Sequence, residues 1–382
     1  MDRRCFVKQS ICAGCAMASG IMGGHSNTAF ADVRLPVTKE VSNKEAMHYD
    51  KLEDQKVKCV LCPKECSVAD GERGYCGVRE NQKGEYKTLV YGRPCTLHVD
   101  PIEKKPLFHY RPGTRAFSIA TAGCNMECKF CQNWDISQFR PEQVRMMDLP
   151  PKRTAELAKQ AKSETIAYTY SEPVIFYEYM HDTAVEARTL GIGSVMISNG
   201  YIKEKALKQL LPKLTGIKVD FKGFTESFYK DYCNGEMKPV LHALETIKEM
   251  GTWLELVVLI IPTLNDSDQE NKDMAKWIVK HLGPDVPVHL SRYHPTYKIK
   301  NIPPTPIKTL ERIRQFMMDA GNHYVYIGNA PGHEAEHTYC PSCQALLIQR
   351  LGFSTTIKGM ENGRCEKCKT EIPGIWKDPL AR

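Results

Sequence analysis

The chain has 382 residues, 42% of them hydrophobic and 25% charged, the balance of a soluble globular protein with length for one large domain and appendages. A net charge of +7 is mild at this length and no run is long and apolar enough to span a membrane, so neither nucleic-acid binding nor a transmembrane span is expected. Sixteen cysteines would suggest disulfide staples only in a much shorter secreted chain; most fall here in short CxxC-like groups, which points to metal ligation.

Residues 1–31 read as a targeting segment. Arg3 and Arg4 precede a weakly apolar Ala/Gly run, Ile11 to Gly24, and Ala29-Phe30-Ala31 offers a small-x-small cleavage site. The segment resembles a twin-arginine export signal and suggests the periplasm; a cytoplasmic location is the alternative. Cys5, Cys12 and Cys15 lie inside it and are not ligands if it is removed. Residues 32–58 are charged and aperiodic and read as a linker.

Residues 59–112 form an N-terminal Cys-rich metal-binding region. Cys59, Cys62, Cys66 and Cys76 are separated by Pro63 and several glycines, and four thiolates on a turn-rich stretch suit structural zinc or a small iron–sulfur centre. The identity of this metal stays open.

A barrel is expected over 113–335. It opens with "FSIAT", a short buried strand broken by Ala122-Gly123 into a loop carrying Cys124, Cys128 and Cys131. Ferredoxin-type clusters take four cysteine ligands and pass electrons. Three thiolates on one loop can hold three irons of a cubane 4Fe–4S cluster and leave the fourth open to a substrate or cofactor. Three-cysteine zinc is the competing reading, but no Cys or His follows Cys131 at a suitable spacing.

Apolar runs at 165–170, 193–198, 216–221, 253–261, 287–293 and 323–328 then alternate with amphipathic stretches such as 153–162, 174–189 and 307–320. This rhythm predicts a parallel sheet with its chemistry at the C-terminal strand ends, in an incomplete (β/α)6 barrel of α/β class. Polar residues stand where the strands end. They are Tyr170, Ser171 and Glu172, then Ser198 and Asn199, then Asp220 and Lys222, and finally Asn265, Arg292 and His294.

Residues 336–382 read as a zinc ribbon, with Cys340 and Cys343 paired with Cys365 and Cys368. "HEAEH", His333 to His337, matches a zinc-protease motif, but the flanking prolines leave no room for the helix that motif requires; His337 is a possible neighbour of the ribbon metal instead. Cys95 and Cys233 read as isolated buried residues or inconsequential thiols.

The CxxxCxxC loop, with Phe130 before its last cysteine, resembles the signature of radical S-adenosylmethionine (SAM) enzymes. That resemblance implies a 4Fe–4S cluster on Cys124, Cys128 and Cys131, with SAM chelating the open iron. Reductive cleavage of SAM would give a 5'-deoxyadenosyl radical that abstracts hydrogen from substrate. Tyr170, Ser171 and Glu172 occupy the place of the family's Gly-Gly-Glu segment, whose glycines are absent here, and Glu172 would accept from the SAM amino group. Ser198 and Asn199 resemble ribose or carboxylate contacts, and Lys222 would meet the SAM carboxylate. Asp220 and His294 complete the neighbourhood, with Glu172, Lys222 and His294 as catalytic candidates.

The order of "CVLCPKECSVADGERGYCGVR", "CNMECKFCQNWDISQ", "YTYSEP", "RYHPTYK", "YVYIGNAPG" and the ribbon ending "IPGIW" is similar to the radical SAM component of the AmmeMemoRadiSam system. It is similar more distantly to pyruvate formate-lyase activating enzymes. The resemblance implies AMMECR-type and MEMO-type partners and an electron donor of ferredoxin or flavodoxin type. The substrate, expected to be a small molecule, is not named by it. The alternatives are an activase that takes hydrogen from a partner's glycine and a non-enzymatic metal-ribbon scaffold.

Overall fold

The computed structural model describes residues 35–381, so the stretch read as an export signal lies outside the described residues. One eight-stranded sheet organises them. Its strands are β1 (Thr96–Pro101), β2 (Arg115–Ala120), β3 (Thr165–Tyr168), β4 (Gly193–Ser198), β5 (Gly216–Asp220), β6 (Leu254–Ile260), β7 (Val288–Arg292) and β8 (Val325–Gly328). They are hydrogen-bonded in chain order from one edge to the other. β1 runs antiparallel to β2, and every later pair is parallel.

The crossovers contain α1 (Pro151–Gln160), α2 (Tyr177–Thr189), α3 (Glu204–Leu210), α4 (Met237–Glu249), α5 (Asp268–Leu282) and α6 (Ile307–Asp319). β8 and β1 do not pair with each other, so the sheet is the partial (β/α)6 barrel expected from the sequence, open along a seam.

Why these segments take these forms is local. β3 and β4 are buried at every position, as strands covered on both faces must be, and they therefore read as continuous apolar runs. α6 buries Leu310, Ile313 and Met317 along one stripe. α5 starts where Ser267 caps the Glu270 amide and ends at Gly283, with φ +90°. The antiparallel β1 is not foreseen in the sequence: "TLHVDP" is an edge strand, mostly half-buried and ending in proline, with no apolar run to announce it.

The N-terminal ends of the strands are sealed. Tyr110 reaches between β4 and β5 and its hydroxyl lies 2.6 Å from Thr215 Oγ1. A Cβ on Gly193 would stand 2.5 Å from that hydroxyl, and one on Gly216 3.1 Å from Tyr110 Cδ2. Ile102, Leu107, Ala167 and Val195 fill the space around it. The C-terminal tail joins the same plug, with Arg111 N donating to Ile375 O and Ile375 N to His109 O, each at 2.7 Å.

Two smaller antiparallel regions flank the barrel. The stretch expected to be a linker instead supplies Lys44–Glu45, Tyr49–Lys51 and the start of Val57–Cys59 to two three-stranded sheets built with the Cys-rich region. Strands of two or three residues leave no periodic signal. On the C-terminal side, Thr338–Tyr339, Leu346–Leu351 and Ser354–Ile357 form a sheet. Buried Arg350 ties it to the barrel, donating to Glu336 O, Thr338 Oγ1 and Phe108 O. "HEAEH" makes a single 3-10 turn, Glu334–Glu336. His333 faces Glu311 and the Ala335 amide, and His337 Nδ1 accepts from Arg350 N, so no two-histidine zinc helix exists there. No helix among the described residues is long and apolar enough to cross a membrane.

Candidate active site

The loop after β2 is fixed from two sides. Gly123 has φ +94°, and a Cβ there would lie 2.6 Å from Val78 Cγ1 and 2.8 Å from Cys76 O, so only glycine lets the loop pack on the N-terminal region. On the other side, the turn containing Tyr229–Cys233 receives Glu127 N on Cys233 O at 2.9 Å and Lys129 N on Tyr232 O at 2.8 Å. Held this way, Cys124, Cys128 and Cys131 all line one cavity of about 620 Å³.

Each thiol has local support. Met126 N points at Cys124 Sγ (3.4 Å), and Ser137 Oγ lies 3.2 Å from Cys131 Sγ. Cys233, read from the sequence as inconsequential, hydrogen-bonds to Cys128 and lowers the pKa of that thiol. It does not line the cavity, so three cysteines face it. Nothing in the sequence marks Cys233, because it is brought there by a turn a hundred residues downstream.

Glu172 is the centre of the opposite wall. It is buried and receives Val174 N at 3.0 Å, Ser198 Oγ at 2.6 Å and Asn199 N at 2.8 Å. Burial outweighs these donors and pushes its pKa up to about 7. Asn199 also donates to Asn125 Oδ1 and receives Tyr201 N, so Ser198 and Asn199 spend their side-chain polar groups on Glu172 and neighbouring protein atoms. Tyr170 adopts φ +63°, a conformation natural to glycine, while Asn133 Nδ2 donates to its carbonyl at 2.9 Å. The backbone bend expected of the missing glycine is therefore made by a tyrosine whose hydroxyl is anchored on Asp100.

At the end of β5, Asp220 pairs with Lys218 and with Lys222, the latter at 3.5 Å. Burial opposes the Lys222 charge, but Asp220 and the thiols of Cys128, Cys233 and Cys131 prevail and hold its pKa above the ordinary lysine range. Asn265 supports this residue from below, donating to Lys222 O and Leu259 O, each at 2.9 Å. Tyr170, Ser171, Glu172, Asn199, Asp220 and Lys222 all line the cavity with the three cysteines. Ser198, Arg292 and His294 do not line it. Arg292 Nε donates to Thr305 O, and His294 is exposed beyond it. The cavity's remaining wall, Lys105, Lys218, His289 and Phe353 among others, carries no sequence motif.

The other cysteine groups differ in spacing. Among the described residues, Cys340, Cys343, Cys365 and Cys368 bring their sulfurs within 4.8 Å of one another and could hold a metal ion. Cys59, Cys62, Cys66 and Cys76 share a separate cavity but are not drawn so tightly together.

The sequence profile of the radical SAM superfamily matches residues 118–278. The uncharacterized protein MJ0808 of Methanocaldococcus jannaschii is 45% identical over 331 residues, 86% of this chain and 98% of that protein. Among solved structures, the chain is similar to a radical SAM methyltransferase from Sphaerobacter thermophilus, at 16% identity over 57% of this chain and 67% of the other, with a TM-score of 0.46. It is also similar to a domain of a pyruvate-formate lyase-activating enzyme from Bacteroides vulgatus, at 14% identity over 43% and 98% of the two chains, with a TM-score of 0.39.

Proposed function

Because the chain belongs to the radical SAM superfamily, we propose that it is an enzyme whose Cys124, Cys128 and Cys131 hold a 4Fe–4S cluster for the reductive cleavage of SAM. The observation that carries this reading is the shared cavity, with three thiols on one wall and a buried carboxylate and the half-buried ammonium of Lys222 on others. The donor set fits such a cluster: three cysteines face the space, the nearby Cys233 does not, and the sulfurs stand wider apart than one ion would hold them. When bound, the cluster supplies the electron that divides SAM into methionine and a 5'-deoxyadenosyl radical able to take hydrogen from a substrate.

The chain's own residues bind and orient. Glu172 accepts three hydrogen bonds, and a carboxylate has about four lone-pair sites, so it keeps one for the ammonium of SAM. Lys222 puts a fixed positive charge beside the thiolates and is the partner for the SAM carboxylate. Ser198 acts through Glu172, and Asn199 adds its backbone amide. His294, exposed and off the cavity wall, has no part in this reading.

The hydrogen donor is taken to be a small molecule, since a cavity of about 620 Å³ lies in the range of small-molecule sites. The reductant is a one-electron carrier of ferredoxin or flavodoxin type. The order of motifs along the chain supports membership of the AmmeMemoRadiSam system, with AMMECR-type and MEMO-type partners, and the tight C-terminal four-cysteine group supports zinc there.

The deciding experiment is release of 5'-deoxyadenosine from SAM by the anaerobically reconstituted protein, beside a Cys124→Ala, Cys128→Ala, Cys131→Ala control. Product from the unaltered protein alone is expected. No product from protein with a full iron and sulfide complement would sink the reading. Deuterium placed in a candidate metabolite or in a partner's glycine then separates the enzyme of small molecules from an activase.

A further inference from the structure

The N-terminal cysteines are not explained by the reaction above. Cys59, Cys62, Cys66 and Cys76 come from a strand, a turn and a loop, yet all four line one cavity. This chain also shows what four cysteines look like when gathered for a single ion: the ribbon group has Cys340 and Cys368 sulfurs 3.5 Å apart and Cys343 and Cys365 sulfurs 3.6 Å apart. That is close to the separation two sulfurs take on one tetrahedral zinc, given zinc–sulfur bonds of about 2.3 Å. Among the described residues, no three sulfurs of the N-terminal group approach one another to that degree, and neither do those of Cys124, Cys128 and Cys131. Within one molecule, the N-terminal group therefore shares the open spacing of the cluster loop rather than the tight spacing of the ribbon.

A second observation is independent of the sulfurs. Arg79 lines the same cavity, is 1% exposed, and gives its Nη2 to Glu178 and its Nη1 to Met47 O. Its Nε is buried without any partner. A buried N–H left unpaired is costly, and the group it lacks is an acceptor in that cavity. Tyr75 N already points at Cys66 Sγ, at 3.4 Å. Donors aimed at sulfur are how proteins tune iron–sulfur clusters.

We propose that Cys59, Cys62, Cys66 and Cys76 hold a second iron–sulfur cluster, that Arg79 Nε donates to one of its sulfurs, and that it is an electron-transfer centre set beside the Cys124 loop. Four cysteine ligands leave no open iron, so this cluster can only take up and give up one electron. The carrier that reduces it is a flavodoxin or ferredoxin, which loses the electron the cluster gains. Adjacency is direct: Cys76 O lies 2.8 Å from where a Cβ on Gly123, the residue before Cys124, would stand, and Asn125 forms part of the N-terminal cavity wall.

The placement of a second cluster stands without the SAM reading; only its use as an entry point rests on that reading. The test starts from full-length Cys124→Ala, Cys128→Ala, Cys131→Ala protein, isolated anaerobically. It is expected to keep iron and acid-labile sulfide and, once reduced with dithionite, to show an EPR signal that SAM leaves unchanged. Adding Cys59→Ser and Cys62→Ser is expected to abolish iron, sulfide and signal together. In the unaltered protein, spin coupling between neighbouring reduced clusters is expected to broaden the spectrum relative to either single-site variant. Arg79→Lys, which keeps the charge facing Glu178 and removes Nε, is expected to move the midpoint potential of the outer cluster to more negative values.

Zinc without sulfide at this site, or no metal in a triple variant that circular dichroism shows to be folded, would overturn the proposal. If both clusters assemble and SAM perturbs neither signal, the SAM reading fails and the second cluster stands.

Discussion

Glu172 shows how one residue carries both a legible and an illegible part of the site. Its position after the second parallel strand is readable from "YTYSEP", but its pKa of about 7 comes from burial that no local pattern reveals. On the proposed reading the ammonium of SAM binds the ionised carboxylate, so protons would compete with SAM below that pKa. SAM affinity, measured calorimetrically on cluster-loaded protein, is therefore expected to strengthen by up to tenfold per pH unit toward about 7 and to level off above it. Glu172→Gln is expected to flatten this profile and weaken binding by roughly ten- to a hundredfold, the loss of a buried charge-assisted contact. A profile unchanged by the substitution would remove Glu172 from the SAM site. His294 shows the converse. It follows a strand end in the sequence, but the backbone beyond β7 is drawn outward, with Tyr293 N donating to Thr305 Oγ1 at 3.0 Å, and the histidine is exposed.

Among the elements, those with one strong physical signal were readable. Every parallel strand after β2 coincides with an apolar run, and α6 with an amphipathic stripe, because burial on both faces or on one face writes itself into composition. The cysteine loop is legible as a motif but not as a packed object: its contacts come from the N-terminal region and from the turn at Tyr229–Cys233, both distant in sequence. Gly123→Ala tests that packing. The new methyl would face both backbone and side chain under 3 Å away, in a left-handed conformation. A loss of roughly 3 kcal/mol is expected, read as a lower denaturation midpoint, together with reduced iron loading. Unchanged stability would mean the loop is free to move off the N-terminal region.

For the molecule as a whole, the two C-terminal CxxC pairs announced a ribbon, but nothing in them announced that Arg350 would lock that ribbon to the barrel through Phe108 O. One zinc per chain is expected by elemental analysis, and Cys365→Ser is expected to lose it and lower thermal stability, since a metal held by these four sulfurs would also contribute folding free energy. Retention of zinc by that variant would locate the ion elsewhere. The plug at the other end of the barrel bears on how this sequence can change over time. Tyr110 occupies the volume that side chains at positions 193 and 216 would need, so those glycines are held by a residue from another part of the chain. Gly193→Ala is expected to be strongly destabilising alone and much less so in a Tyr110→Phe background, a coupling that a double-mutant cycle measures directly. Given that coupling, the order of change matters: losing the tyrosine hydroxyl first opens space for a methyl at position 193, whereas a methyl gained first meets that hydroxyl at 2.5 Å.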